Sequence, residues 1–253
     1  MYIPVTRIDW DILIEIEGSL VMNELINKLK NGLVVSCQAF ENEALYGSDI
    51  MAKMAIAAKQ GGAVGIRACW PNDIRAIKKI VDLPIVGINK IMTKDTDIYE
   101  DIIITPDFES AKAVYDAGAD IIAIDGTNRK REGISLEELI HKIKTELNVL
   151  VMADISTLEE GINAAKYGAD IISTTLSGYT KYSPQSKEPD FQLIKDLSEK
   201  IDKPINAEGR YWEPAQMIKA FEMGAWMITI GGAITRPAQI TERFVDELNN
   251  WAK

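Results

Sequence analysis

The chain has 253 residues and a formal net charge of −10, with 28 lysine and arginine residues against 38 aspartate and glutamate residues. This balance argues against a nucleic-acid partner, which needs clustered positive charge. Two cysteines cannot form a disulfide framework, and a single histidine excludes a three-histidine zinc site. No segment has the features of a membrane span or a secretory signal. We expect a cytoplasmic globular protein with no membrane partner.

The first element expected along the chain is a helix. Ser19 is a suitable N-cap for a helix over Leu20–Lys30, whose apolar side chains share one face. Residues 1–18 precede the pattern that fills the rest of the chain. We therefore assign residues 1–18 to an N-terminal extension and residues 19–253 to one domain.

A short string then recurs four times, each time after a stretch with helical periodicity. The matched glycines of the four copies are separated by 56, 50 and 56 residues. Each glycine stands where a helix end needs a left-handed residue, and an apolar run typical of a strand buried on both faces follows it. The copies are Gly61-Gly-Ala-Val-Gly-Ile-Arg67, Ala117-Gly-Ala-Asp-Ile-Ile-Ala-Ile-Asp125, Tyr167-Gly-Ala-Asp-Ile-Ile-Ser173 and Met223-Gly-Ala-Trp-Met-Ile-Thr-Ile230.

Four further apolar runs lie before and between these copies, over Leu33–Gln38, Pro84–Lys90, Val149–Asp154 and Pro204–Glu208. Together the runs give eight strands that alternate with helices. This pattern predicts a single (β/α)8 barrel, and we expect the extra N-terminal helix to close its bottom. An open doubly wound sheet is the alternative, but the even spacing and the lack of a Gly-x-Gly-x-x-Gly string favour the barrel.

Two polar stretches are expected to be loops. Thr93–Asp101 follows the third strand, and Ser177–Pro189 follows the sixth strand. Long loops at the carboxyl ends of strands commonly cover a substrate. The basic run that follows Asp125 and ends at Arg131 is interpreted as a solvated loop.

Polar side chains stand at the predicted strand ends, although the runs leading into them are apolar. Barrels carry their chemistry on this face, so the contrast is the main indication of an enzyme. Cys37 and Cys69 also lie near strand ends, but no histidine is placed to activate them. We therefore expect both cysteines to be small buried residues. The residues at the strand ends are Gln38, Arg67, Lys90, Asp125, Asp154, Thr174 and Glu208, together with the Gly231–Gly232 pair after the eighth strand.

Lys90 is the candidate general base of this set. Its position is partly removed from water, and Arg67 on the neighbouring strand adds like-charge repulsion, so both effects favour the neutral amine. The alternative is a lysine that reaches solvent beside a carboxylate. The roles of Glu208 and Asp154 remain open. Each could act as an acid, a base or a group that orients a hydroxyl, or it could form an ion pair with Arg67 or Arg210.

The loops after the last two strands combine glycine with arginine. Barrels often bind phosphate there through backbone N–H groups and the start of a short helix. Arg210 or Arg236 can add charge-assisted hydrogen bonds. From the residues alone we expect a barrel that handles a small phosphorylated molecule with a lysine and carboxylates. The residues expected at the phosphate are Gly209, Arg210, Gly231 and Gly232.

Five strings are shared with a known family: Gly32-Leu-Val-Val-Ser-Cys-Gln-Ala39, Met54-Ala-Ile-Ala-Ala-Lys-Gln-Gly-Gly-Ala-Val-Gly-Ile-Arg-Ala68, Met152-Ala-Asp-Ile-Ser-Thr-Leu-Glu-Glu-Gly161, Ser173-Thr-Thr-Leu-Ser-Gly-Tyr-Thr180 and Gly231-Gly-Ala-Ile-Thr-Arg-Pro237. In these strings the chain resembles the bacterial N-acetylmannosamine-6-phosphate 2-epimerase family. The resemblance implies a (β/α)8 barrel and an isomerase that interconverts N-acetylmannosamine 6-phosphate and N-acetylglucosamine 6-phosphate in amino-sugar and sialic-acid breakdown.

The same resemblance implies roles for individual residues. Lys90 corresponds to the catalytic lysine, which removes the C2 proton, and Glu208 corresponds to the catalytic-site glutamate. No metal and no organic cofactor are implied. The loop that follows Lys90 is a few residues longer than is usual in the family. The substrate-binding residues implied are Gln38, Arg67, Asp154 and Arg236.

The resemblance also implies a homodimer. Trp212, Trp226 and Trp251 are candidate interface residues, with packing of helix on barrel as the favoured alternative for each. Another phosphosugar isomerase or synthase with the same phosphate site is a rival function. A non-catalytic barrel that senses a phosphorylated metabolite and regulates RNA is a second rival, against which the net charge argues.

Overall fold

The computed structural model describes residues 20, 22 and 24–252. Eight parallel strands form a closed barrel in which each strand pairs with the next and β8 pairs with β1. The predicted barrel is therefore confirmed, whereas Ser19 and residues 1–18 lie outside the described residues. The strands are β1 (Leu33–Cys37), β2 (Gly65–Cys69), β3 (Ile85–Ile88), β4 (Ile121–Asp125), β5 (Leu150–Asp154), β6 (Ile171–Ser173), β7 (Ile205–Glu208) and β8 (Met227–Ile230).

Helices follow the strands and surround the barrel. Helical turns at residues 20, 22 and 24–28 form α1, ahead of β1. A 3-10 turn over Thr174–Leu176 follows β6. The remaining helices are α2 (Ser48–Gln60), α3 (Pro71–Lys78), α4 (Phe108–Asp116), α5 (Leu136–Leu147), α6 (Leu158–Lys166), α7 (Phe191–Lys200), α8 (Pro214–Glu222), α9 (Gly232–Thr235) and α10 (Pro237–Trp251).

The recurring glycines end four helices, as the sequence predicts. Gly62, Gly118, Gly168 and Gly224 have φ angles of 93°, 102°, 99° and 102°, in the left-handed region that glycine adopts without steric cost. Each glycine turns the chain from a helix into the strand that follows. The helix starts are set in a similar local way, because Asp107, Ser135 and Thr157 cap α4, α5 and α6 with capping boxes.

Two apolar clusters result from the alternation of side chains along the strands. The larger cluster lies between the barrel and its helices, and the smaller one fills the barrel interior. Cys37 belongs to the outer cluster and Cys69 to the inner one, and both thiols are buried and free. Burial raises the pKa of Cys37 to about 12 and that of Cys69 to about 11, so both are inert small residues, as expected.

The helix α1 packs under the barrel. Leu29, just after its described turns, is fully buried in the inner cluster. The Trp226 indole Nε1 donates to the Ile26 carbonyl at 3.0 Å, and the Asn31 N–H donates to the Trp226 carbonyl at 2.7 Å. The expected closure of the bottom is confirmed, and Trp226 takes the helix-packing role that was its favoured alternative.

The last helix, α10, stands apart from this packing, because none of its residues is buried. Phe244, Leu248 and Trp251 are 72%, 64% and 85% exposed, although they recur at helical spacing on one face. Within residues 20, 22 and 24–252, no helix combines the length and apolar character needed to cross a membrane.

Candidate active site

A cavity of about 580 Å³ opens at the carboxyl ends of the strands. This is the face on which barrels carry their chemistry. Eight of the ten residues predicted to be catalytic, substrate-binding or phosphate-binding line it, from the ends of four strands and the loops that follow them. Those that line it are Gln38, Lys90, Glu208, Gly209, Arg210, Gly231, Gly232 and Arg236.

The other two predicted residues, Arg67 and Asp154, form an ion pair inside the barrel and do not line the cavity. The Arg67 Nη1 and Nη2 atoms lie 3.1 and 2.5 Å from the two Asp154 carboxylate oxygens. Their side chains are 1% and 0% exposed. The ion-pair alternative for Asp154 therefore holds, and the two charges of the pair offset each other inside the barrel.

Glu208 connects this pair to the cavity. Its Oε2 lies 3.1 Å from Arg67 Nη1. Burial raises the pKa of Glu208, and the charge of Asp154 raises it further, while Arg67 opposes both effects. A carboxyl group whose pKa is raised in this way is suited to hold a proton for delivery.

A row of hydroxyl and amide groups that the sequence analysis did not single out supports Glu208. Thr175 Oγ1 lies 2.7 Å from Asp154 Oδ1, 3.1 Å from Glu208 Oε2 and 2.7 Å from Ser173 Oγ. Asn206 Nδ2 donates to Ser173 Oγ at 2.7 Å and lies 3.3 Å from Glu208 Oε2. The Thr175 hydroxyl has one proton for two carboxylates, and its shorter contact is to Asp154.

The period of two along a strand would have found these residues. On β7, Asn206 precedes Glu208 by two positions, and Ser173 stands two positions after Ile171 on β6; Thr175 follows in the 3-10 turn after β6. The sequence analysis chose Thr174 instead, which was wrong by one residue. Thr174 Oγ1 bonds the backbone of Glu208, donating to its carbonyl and accepting from its N–H at 3.0 Å.

Lys90 lines the cavity beside an aromatic ring. Its Nζ is 5.0 Å from the centroid of the Phe40 ring. Burial lowers the pKa of Lys90, and the positive charges of Arg67 and Arg236 lower it further. These causes include the two that the sequence predicts, and the same shift argues against the alternative of a solvent-reaching lysine.

Gln38 presents an acceptor at this cavity. Its Nε2 donates to Ser36 Oγ at 2.7 Å, whereas its buried Oε1 has no hydrogen-bond partner among the described residues. A buried acceptor without a partner is costly unless a ligand satisfies it. A ligand N–H group or hydroxyl would complete this site.

The predicted phosphate site lies at the ends of β7 and β8. The first N–H groups of α9, which begins at Gly232, have no partner within the helix. Arg236 lies beside them and pairs with Glu43, at 3.2 Å between Nη1 and Oε1. Arg210 donates through Nε to the Glu188 carbonyl at 2.8 Å and through Nη1 to the Ser177 carbonyl, so it also holds the loop after β6.

The loop after β4 differs from the expected solvated loop. Arg129 is buried, and its Nη2 lies 2.5 Å from Asp125 Oδ2 while its Nε donates to Thr127 Oγ1 at 3.0 Å. The expectation was wrong because a buried carboxylate at a strand end requires a partner, and Arg129 is near enough in sequence to supply it. Asp125 therefore serves this loop and does not line the cavity.

Comparison with known proteins places the chain in a family. The family described as "Putative N-acetylmannosamine-6-phosphate epimerase" matches residues 51–250. The chain belongs to this family. The match covers most of the barrel, from α2 to α10, including Lys90 and Glu208.

Relatives of the epimerase family are similar over nearly their whole length. A "Putative N-acetylmannosamine-6-phosphate 2-epimerase" of Caldanaerobacter subterraneus subsp. tengcongensis is 52% identical over 224 residues, which are 88% of this chain and 93% of that one. One of Clostridium perfringens with the same description is 48% identical over 225 residues, 88% of this chain and 100% of that one.

A solved structure of the family matches the fold. The N-acetylmannosamine-6-phosphate 2-epimerase from Clostridium perfringens superposes with a TM-score of 0.83 at 47% identity, covering 88% of this chain and 95% of that chain. The resemblance in the sequence motifs is thereby confirmed at the level of family, fold and enzyme class.

Proposed function

We propose that the protein interconverts N-acetylmannosamine 6-phosphate and N-acetylglucosamine 6-phosphate, as amino-sugar and sialic-acid breakdown require. The observation that carries the proposal is Lys90 in its cavity, held where the neutral amine is favoured. The reaction inverts a carbon that bears an acylated nitrogen next to a latent aldehyde. It therefore needs a base at C2 and a proton source for the opposite face.

The phosphate would be anchored at the ends of β7 and β8. The absence of side chains at Gly209, Gly231 and Gly232 would let the phosphate approach the backbone closely. Arg236 and Arg210 would supply positive charge. Binding energy at this remote group positions C2 at the reacting residues.

Lys90 would then take the C2 proton of the open-chain sugar. The C2–H bond breaks, its electron pair forms the C1–C2 double bond of an enolate, and the proton goes to the amine. Glu208, protonated, would donate a hydrogen bond to the developing charge. A proton returned to the other face of C2, from Lys90 or from Glu208, completes the inversion. Beneath them, Arg67 and Asp154 act on the substrate through Glu208, and Gln38 Oε1 accepts from the substrate.

Proton NMR of N-acetylglucosamine 6-phosphate in heavy water tests this function. We expect the C2 proton signal to disappear as the product with mannosamine configuration grows. N-acetylglucosamine without phosphate is the control, and it should exchange far more slowly because the anchor is missing. Neither exchange nor product with the phosphorylated sugar would refute the substrate assignment.

We further infer a homodimer in which α10 is an interface element. A leucine, a phenylalanine and a tryptophan on one face of α10 are exposed in the single chain. Each buried side chain of this kind contributes about 1.5–3 kcal/mol, so a second copy is a favourable cover. A cytoplasmic location is proposed as well, since two buried free thiols on opposite faces of the sheet suit a reducing compartment.

Replacing Leu248 by Asp is expected to give a monomer in sedimentation analysis. The lost apolar burial in both copies weakens association by about 10²-fold or more. Asn249→Asp is the matched control, because it adds the same charge next to Leu248 but away from the apolar face. Dimers that dissociate equally in both variants, or in neither, would contradict the assigned face.

A further inference from the structure

One wall of the cavity is formed by the loop that follows β3, over residues 91–103. The loop is clamped at its base, because Lys90 forms an antiparallel bridge with Ile104 and the Ile91 N–H donates to the Ile103 carbonyl at 2.9 Å. It therefore leaves and re-enters the barrel directly beside the candidate base. The side chains it contributes to the cavity are apolar: Met92, Ile98 and Ile103.

The tip of this loop is held in place from two sides. The Ile98 carbonyl accepts from Arg129 Nη1 at 3.0 Å, and Arg129 is fixed in turn by its buried pair with Asp125. Lys181, on the loop after β6, lies 2.5 Å from the Glu100 carboxylate. These contacts fix Ile98 over the cavity.

The barrel geometry decides which part of the substrate meets this wall. The phosphate site lies after β7 and β8, and β3 stands across the closed barrel from β7. Along the carbon chain of a hexosamine 6-phosphate, C2 lies near the end remote from the phosphorylated C6. With the phosphate after β7 and β8 and C2 at Lys90, the nitrogen substituent on C2 would lie on the β3 side of the cavity, beside the loop after β3.

We propose that Met92, Ile98 and Ile103 form the subsite for the N-acyl group, and that this subsite accepts acyl chains longer than acetyl. The inference rests on the proposed function and specifies which acyl chains its substrates can carry. Gln38 Oε1, which has no partner among the described residues, accepts the amide N–H. Met92 and Ile98 are 43% and 44% exposed, so the subsite is apolar but open toward solvent, where a longer chain extends.

The test compares kcat/KM for the N-acetyl, N-propanoyl and N-butanoyl forms of mannosamine 6-phosphate. In the intact protein we expect kcat/KM for the N-butanoyl substrate to equal or exceed kcat/KM for the N-acetyl substrate. Half-burial of the two additional methylenes of the N-butanoyl group corresponds to a gain in kcat/KM of about fourfold. A hundredfold preference for N-acetyl would overturn the proposal, because it would show a closed subsite.

Variants assign the effect to the wall. Ile98→Ala should lower the ratio of kcat/KM for the N-butanoyl to that for the N-acetyl substrate, because most of the apolar contact with the longer chain is lost. Ile98→Trp should lower the N-butanoyl to N-acetyl ratio by about tenfold, because the larger ring fills the open side. Ile102→Ala is the matched control, since Ile102 belongs to the same loop but does not line this cavity.

The two proposals fail in different ways. An N-butanoyl to N-acetyl ratio that stays unchanged in both Ile98 variants would overturn the acyl subsite while leaving the epimerase function intact. Absence of turnover with every N-acyl substrate would overturn the function and the subsite together. A ratio that falls in the Ile98 variants and stays constant in Ile102→Ala supports the subsite.

Discussion

Lys90→Ala is expected to lower kcat for epimerisation by about 10³-fold, within the range that a positioned general base contributes. The substitution removes the amine proposed to take the C2 proton, while the proposed phosphate site and the Arg67–Asp154 pair stay in place. Deuterium incorporation at C2, followed by NMR in heavy water, should fall in parallel with product formation. KM should change much less, because Lys90 acts on the reacting carbon and not on the phosphate.

Lys53→Ala is the control for this variant, because the Lys53 side chain is 78% exposed on α2 and lies outside the cavity. It should retain full activity. Deuterium exchange that persists in Lys90→Ala without product would transfer the role of base to Glu208 and leave Lys90 with the return of the proton.

The pH dependence of the reaction follows from the same residue. The base must be neutral, so the rate rises with pH as Lys90 loses its proton. Burial, Arg67 and Arg236 lower the pKa of Lys90, and this rise therefore begins at lower pH than for an ordinary lysine. In Lys90→Ala the rise should be absent from whatever activity remains.

Glu208→Gln is the second substitution with a large expected effect, a decrease in kcat of about 10²-fold or more. The carboxyl proton supports the enolate, and an amide donates more weakly and cannot transfer a proton. In the intact protein the rate should fall on the alkaline side as Glu208 ionises, at higher pH than for an ordinary glutamate because its pKa is raised. That alkaline decline should disappear in Glu208→Gln.

Stability measurements separate this chemical effect from unfolding. A carboxyl whose pKa is higher in the folded chain than in the unfolded chain stabilises the fold at low pH, and this contribution is lost as pH rises through the folded pKa. At pH values above the folded pKa of Glu208 the Gln variant lacks the ionised group, so its midpoint of urea unfolding there should match or exceed that of the intact protein. Glu222→Gln, exposed near the end of α8, is the control for both readouts. A Glu208→Gln enzyme with full activity would exclude the acid role.

Most of the fold was readable because its signals are local. A glycine that must adopt a left-handed conformation and an apolar run after it define four of the eight strands and the helix ends before them, and apolar runs alone indicate the other four strands. The strand ends then follow from the length of each apolar run. The exposure of the apolar face of α10 could not be predicted from the sequence. The amphipathic pattern of a helix is the same whether its apolar face meets the barrel or another chain.

The candidate site was readable where a single residue carries the signal, as with Lys90 and Glu208. It was not readable where the signal depends on partners far apart in the sequence. Arg67 and Asp154 lie 87 positions apart, and only the closed barrel shows that they neutralise each other. Arg129 was misjudged for a related reason, because a basic run gives no indication of which of its members turns inward.

The clamp at the base of the loop after β3 also bears on how such enzymes diversify. Lys90 is braced by its bridge to Ile104 and by the Trp70 indole, whose Nε1 donates to the Lys90 carbonyl at 3.0 Å. Insertions or deletions between the clamped ends leave this brace untouched. The candidate base and the proposed acyl subsite can therefore evolve, or be exchanged by loop grafting, as independent modules.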